Sequence, residues 1–105
     1  MIGIIGAMAI EIDALAAAME DKKEHTTAGM TFTEGKLAGV SCVVVQCGAG
    51  KVNAAMCTQA LLMLYHPTCV INIGVAGGIG PGVHIGDLVV ADRVVQYDYL
   101  SLIHI

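Results

Sequence analysis

Charge is the scarcest thing in this sequence. Only 13% of its 105 residues are Asp, Glu, Lys or Arg, about half the usual share of roughly 25%. A small domain has a large surface for its volume and covers it with polar groups. At 56% hydrophobic residues, this chain has too few polar groups to cover itself. We therefore expect further chain, a second copy, or both, over part of the surface.

Basic patches are missing too. The five Lys and Arg residues are scattered at positions 22, 23, 36, 51 and 93, within a formal net charge of −4. The few aromatic residues do not interleave with them, which excludes a nucleic-acid stripe. The cysteines at 42, 47, 57 and 69 form no C-x-x-C pair and have no histidine at zinc-ligand spacing. Each lies in or beside an apolar run and reads as a buried, reduced thiol, which suits a reducing compartment. His25, His66, His84 and His104 make no metal site by spacing, and no Ser-His-Asp arrangement is visible. Neither a metal nor a cofactor is expected.

No Asp, Glu, Lys or Arg stands between Lys51 and Asp87, which raises the question of a membrane. That stretch is broken by Gln59, His66, Pro67, Asn72 and a cluster of glycines. Its most continuous apolar part, "AAMCTQALLMLY", is shorter than the roughly 20 residues that a bilayer requires. The N-terminal apolar run has no basic flank and leads into Glu11 and Asp13, unlike a signal peptide. A soluble, cytoplasmic protein is the expectation.

What is present alternates between two periodicities. "MIGIIGAM" reads as a buried strand, followed by a helix over 9–20 with Ile12, Leu15, Ala16 and Met19 on one face. "EDKKEHTTAG" reads as a solvated turn. "MTFTEGKLAGVSCVVVQCG" reads as two strands joined by a Leu-Ala-Gly-Val hairpin. A helix over 51–65 is apolar on nearly every side, which predicts burial on more than one face. "HPTCVINIG" and "GDLVVADRVVQYD" read as further strands. The expected fold is α/β: three layers, α/β/α, around a mixed, largely parallel sheet.

Ligands of such sheets gather at the carboxyl ends of the strands. Three segments end strands here: Gly6-Ala7-Met8, Cys47-Gly48-Ala49-Gly50, and the run from Gly74 to Gly86. Glu11 falls in the first turn after the first strand. Position alone favours the plain reading of a carboxylate matched to the helix dipole; Asp13, two residues on, points elsewhere. Gly74, Ala76, Gly77 and Gly78 follow a strand end directly and allow close approach to the backbone. Gly80-Pro81-Gly82 reads as a connection only. "GAGK" lacks the spacing and hydroxyl of a phosphate loop, so Lys51 reads as a surface residue at a helix start and a flat neutral ligand is as plausible as a phosphate.

Taken in order, "IGIIGAMAIEIDAL", "CGAGKVNAA", "INIGVAGGI" and "GDLVVADRVVQYD" resemble the N-terminal part of the 5'-methylthioadenosine/S-adenosylhomocysteine nucleosidases, within the purine nucleoside phosphorylase and hydrolase superfamily. The resemblance runs over 1–98. Residues 99–105, "YLSLIHI", fit nothing in that family and look like an artefact of a truncated reading. The resemblance implies a homodimeric enzyme that hydrolyses the N-glycosidic bond of adenosine thioethers, releasing adenine and a 5-thio-substituted ribose. It implies that Glu11 activates the attacking water, that Met8 packs on the ribose, and that Val75, Ala76 and Gly77 pass the ribose and purine. Ala49 would lie near the 5'-thio group. Many relatives carry a hydroxyl at the position of Val75, so water placement here would rest more on Glu11 and backbone groups. The family's leaving-group aspartate and ribose-binding glutamate fall in a C-terminal half that this sequence does not include, so the 105-residue chain itself is expected to be inactive or at most to bind a nucleoside. A nucleoside phosphorylase and a futalosine hydrolase are the alternatives within the superfamily.

Overall fold

The computed structural model describes residues 1–98. In chain order the elements are β1 (Ile2–Gly6), α1 (Ala9–Ala18), β2 (Glu20–Thr27), β3 (Met30–Leu37), β4 (Val40–Gln46), α2 (Lys51–Tyr65) and β5 (Cys69–Ile73). The five strands form one sheet in the order β2-β3-β4-β1-β5. β1 runs parallel to both β4 and β5, with Ile4 opposite Val44 and Ile71. β2-β3 and β3-β4 are antiparallel. The sheet is mixed and carries one helix on each face, giving the expected three layers.

Strand alternation divides the core in two. On one face Ile5, Phe32, Val43 and Val45 meet Cys57 and Leu61 of α2. On the other, Ile4, Cys42 and Val44 meet Ile12 of α1 and Met19 just beyond it. The helical face expected at Ile12, Leu15, Ala16 and Met19 is thus the one that packs. Gly3 lets α2 sit close on β1, since a Cβ there would lie 2.6 Å from Leu61 Cδ2. Tyr65 closes the far end of α2 against Phe32, ring centroids 5.6 Å apart. The helix then stops at His66 in the left-handed conformation, followed by Pro67.

Both hairpins are two-residue loops with both residues at positive φ: Ala28 (51°) with Gly29 (76°), and Ala38 (52°) with Gly39 (80°). That is the mirror-image turn whose twist matches antiparallel strands. The Leu-Ala-Gly-Val hairpin is as expected.

Several expectations are corrected. The charged stretch over 20–27 is strand β2, with only Ala28-Gly29 as the turn. Seven of its eight residues are exposed, so no apolar alternation marks it, and pairing with β3 makes it a strand. Its charges suit an outer strand. The strand expected in "GDLVVADRVVQYD" does not form: no residue over 86–98 is in a strand. Its apolar residues are exposed, Leu88 at 93% and Val90 at 87%, because β-propensity yields a strand only where a neighbour supplies a ladder. α2 buries one face, not several. Cys57 and Leu61 are fully covered, while Val52 and Met63 are 72% and 65% exposed. Of the cysteines, Cys42 and Cys57 are buried, Cys47 is half-buried, and Cys69 is exposed, since β5 is an outer strand of the described sheet. α1 ends at Ala18, two residues early, where the chain turns into β2.

Candidate functional site

The parallel trio β4-β1-β5 brings its three carboxyl ends side by side, and these are the three glycine-containing segments. Cys47 N–H donates to Gly6 O at 2.8 Å, carrying the β4-β1 ladder past the strand end. From Gly6 the chain passes through Ala7 and Met8 and enters α1, whose N-terminus stands over the same edge.

Glu11 is held there by its own helix start. Met8 is extended (φ −122°, ψ 153°) as the residue before the first turn. Its N–H donates to Glu11 Oε2 at 3.0 Å, and Glu11 N–H donates to Met8 O at 3.1 Å. The carboxylate therefore satisfies a backbone donor that the helix leaves unpaired and sits at the positive end of the helix dipole. It also reaches beyond α1. A Cβ built on Gly74 would lie 3.4 Å from Glu11 Oε1, and one built on Gly6 would lie 3.3 Å from Glu11 Cβ. One oxygen is bound to the helix and the other faces the bare backbone that leaves β5. Glu11 is half-buried, Asp13 exposed.

The other residues singled out from sequence divide into two groups. Met8 adjoins Glu11 and is half exposed. Ala49 follows β4, and its carbonyl accepts from Asn53 Nδ2 at 2.7 Å. Val75, Ala76 and Gly77 continue from Gly74 but turn no side chain inward. Val75 is 83% exposed, and nothing lies within 4 Å of a Cβ on Gly77. Asn53 was not singled out from the sequence. The signal for its role was an amide in the first turn after Gly-Ala-Gly, where a side chain can tie the helix to its loop. Lys51 lies at the helix surface and pairs with Asp98 at 2.9 Å. This bond, ahead of smaller effects, holds the Asp98 carboxyl below its ordinary value.

A cleft of about 400 Å³ lies beside this edge, not over Glu11. Its walls include Met30, Thr31, Gln46, Cys47, Gly48, Asn53 and Met56. No cluster of three or more metal-ligating side chains exists among the described residues. No helix among them is long and apolar enough to cross a membrane.

An acid above the carboxyl ends of three parallel strands, facing glycine backbone, fits a family of known architecture. The phosphorylase superfamily model matches residues 1–104.

The chain belongs to the phosphorylase superfamily.

Within this superfamily it is 46% identical over 98 residues to a 5'-methylthioadenosine/S-adenosylhomocysteine nucleosidase of Marinomonas sp. (strain MWYL1), covering 93% of this chain and 42% of the relative. The crystal structure of such a nucleosidase from Colwellia psychrerythraea 34H, in complex with adenine, superposes with a TM-score of 0.80 at 42% identity. It covers 82% of this chain and 36% of the other. The Neisseria meningitidis nucleosidase in complex with methylthio-immucillin-A gives 0.77 at 42% identity, covering 82% and 37%. The chain thus spans about two fifths of the length of the curated relatives it matches.

Proposed function

We propose that this chain supplies the water-activating part of a nucleosidase that hydrolyses the N-glycosidic bond of 5'-methylthioadenosine and S-adenosylhomocysteine. The observation that carries the reading is Glu11 Oε1 facing Gly74 at the carboxyl ends of the parallel strands. Similarity to nucleosidases, two of them solved with adenine or a methylthio ligand, supports the substrate class.

In the reaction a water oxygen bonds to the anomeric carbon as the C–N bond breaks. The bonding electron pair leaves with adenine, through a sugar cation resembling an oxocarbenium ion. Glu11 accepts the water proton and stabilises the developing positive charge. Its second oxygen, engaged by Met8 N–H, fixes the direction of the free one. Met8 would pack on the ribose and Ala49 would lie near the 5'-thio group. Val75, Ala76 and Gly77 would present backbone to the nucleoside, because a chain without bulky side chains allows close contact. Protonation of adenine and binding of the ribose hydroxyls fall to residues outside this sequence. In the complete enzyme we propose a homodimer working in the cytoplasm.

The superfamily takes its name from phosphorylases. Phosphorolysis places a dianion where hydrolysis places water, and cationic side chains hold it. Glu11 instead puts a carboxylate at that point, and its bonding partner is a backbone N–H. The reading is tested by grafting residues 1–98 in place of the matching segment of the Marinomonas nucleosidase and supplying methylthioadenosine, with and without phosphate. Release of adenine and free methylthioribose, unaffected by phosphate, is expected. Phosphate-dependent formation of a sugar 1-phosphate would overturn the hydrolase, and turnover of futalosine in preference to methylthioadenosine would overturn the substrate.

A further inference from the structure

The cleft beside the strand ends has a thiol in its wall that the nucleosidase reading does not use. Cys47 is half-buried, lines the cleft, and donates its S–H to Gly48 O at 3.2 Å. It therefore combines solvent access with a fixed position. Behind it lies a second thiol. By strand alternation Cys47 falls on the same sheet face as Val43 and Val45, and it packs on the cluster those residues form with Cys57.

The path of α2 brings Cys57 onto the same cluster that Cys47 packs against. Asn53 stands directly over Gly48, its Nδ2 3.1 Å from where a Cβ of Gly48 would be. The helix then runs back over the sheet, where Cys57 and Leu61 meet Ile5 of β1 and Val43 and Val45 of β4. Cys57 follows Asn53 by four residues on the same helix face, about 6 Å along the axis. Strand residues advance roughly 3.3 Å each, so about two of them span that rise. Cys57 is thereby carried back along the sheet from Gly48, to the level of Cys47 and Val45. The other cysteines are placed elsewhere. Cys42 belongs to the cluster on the opposite face of the sheet, and Cys69 is exposed at the start of β5.

The two thiols differ in chemistry. Cys57 has no exposure, and burial, followed by the charge of Cys47, pushes its pKa up to about 11. It is a poor first nucleophile and is shielded from any reagent. Cys47 is the one a small oxidant can reach.

We propose that Cys47 is a site of oxidation by peroxides, with Cys57 as its resolving partner. The Cys47 thiolate attacks one oxygen of hydrogen peroxide, the O–O bond breaks, and hydroxide leaves, giving a sulfenic acid. Cys57 sulfur then attacks the Cys47 sulfur. The S–O bond breaks, and the departing hydroxide takes the Cys57 proton as water. Two thiols are oxidised to one disulfide, and one peroxide is reduced to two waters. The product would tie the loop carrying Ala49 to the second turn of α2.

The test is made on the full chain, treated with hydrogen peroxide, alkylated under denaturing conditions and mapped by mass spectrometry. Equal loss of free thiol at Cys47 and Cys57, with a linked peptide pair lighter by two hydrogens, is expected. In Cys57→Ala the Cys47 sulfenic acid should persist and be trapped by dimedone, while in Cys47→Ser position 57 should stay reduced. A wild-type chain in which Cys69 alone reacts, or in which Cys57 is oxidised as readily without Cys47, would overturn the proposal. The wild-type map decides this even if a variant folds poorly.

Discussion

A glutamine at position 11 has the same length as the glutamate and retains an oxygen to accept from Met8 N–H, so the helix start survives the exchange. What it loses is the capacity to take a proton from water. In the grafted enzyme Glu11→Gln should lower kcat by about 10²–10⁴-fold, the usual contribution of a general base. Nucleoside affinity should stay within about tenfold, because the interaction is made mainly in the transition state. Single-turnover rates and equilibrium binding separate the two; lost affinity with unchanged turnover would make Glu11 a binding residue. Gly74→Ala probes the same carboxylate from the other side. The new Cβ would sit 3.4 Å from Glu11 Oε1, ordinary contact for folding but in the way of anything approaching that oxygen. Stability should change by less than about 0.5 kcal/mol in denaturant titration, as for benign surface changes, while adenine release falls. Local signals placed the acid at position 11 at a helix start after a strand end, where position alone favoured a plain dipole-matched carboxylate; its reading as the water-activating group came from the family resemblance. Its neighbour across the sheet left no such signal, because Gly74 meets Glu11 only through the pairing of β1 with β5.

At the level of elements, the hairpins offer the cleanest measurement. Ala28 and Ala38 are L-residues held near φ +50°, where the Cβ crowds the following carbonyl at a cost of roughly 1–2 kcal/mol. Asparagine tolerates that region better and precedes glycine in the favoured turn of this kind. Ala38→Asn should therefore raise stability by about 0.5–1 kcal/mol, seen as a higher urea midpoint with an unchanged slope. No gain would mean that the turn is not of this type. Packing predicts the opposite sign at Gly3→Ala, whose Cβ would come within 2.6 Å of Leu61 Cδ2. Overpacking of about 1–3 kcal/mol should follow, read from the same titration. β1, α1, β3, β4, α2 and β5 were legible, from apolar runs and periodicities bounded by turn residues. β2 was not, because an outer strand covered in charge carries no alternation. The segment over 86–98 failed in the other direction, since it has the composition of a strand without a partner among the described residues.

Across the whole molecule, the scarcity of charge reappears as exposed apolar surface. Val52, Met56 and Met63 on α2, and Ile79, Ile85 and Leu88 in the segment after β5, all face solvent. Exposed apolar side chains in such number promote association. The purified chain should self-associate with rising concentration, and Val52→Lys with Met63→Lys should reduce this in light scattering without loss of secondary structure. One ion pair, Lys51 with Asp98, ties the end of the segment after β5 to the start of α2. Because Lys51 lowers the Asp98 pKa in the folded chain, the tether's contribution is present above the ordinary value of 3.8 and is lost as pH falls through the lowered one. Lys51→Met should return the Asp98 titration, followed by carboxyl NMR shifts, toward 3.8; an unmoved midpoint would mean the pair does not form in solution.

By itself the sequence determined the mixed α/β class, the two helices, the glycine-bearing strand ends and the acid that follows the first of them. Those features are written in short-range patterns: periodicity, turn residues and helix starts. Only the tertiary structure decided that β4, β1 and β5 lie side by side, that Glu11 faces Gly74, and that Cys47 and Cys57 share one cluster. Such meetings depend on strand order and on the direction in which α2 returns, which arise from long-range pairing between segments whose local composition does not specify their neighbours.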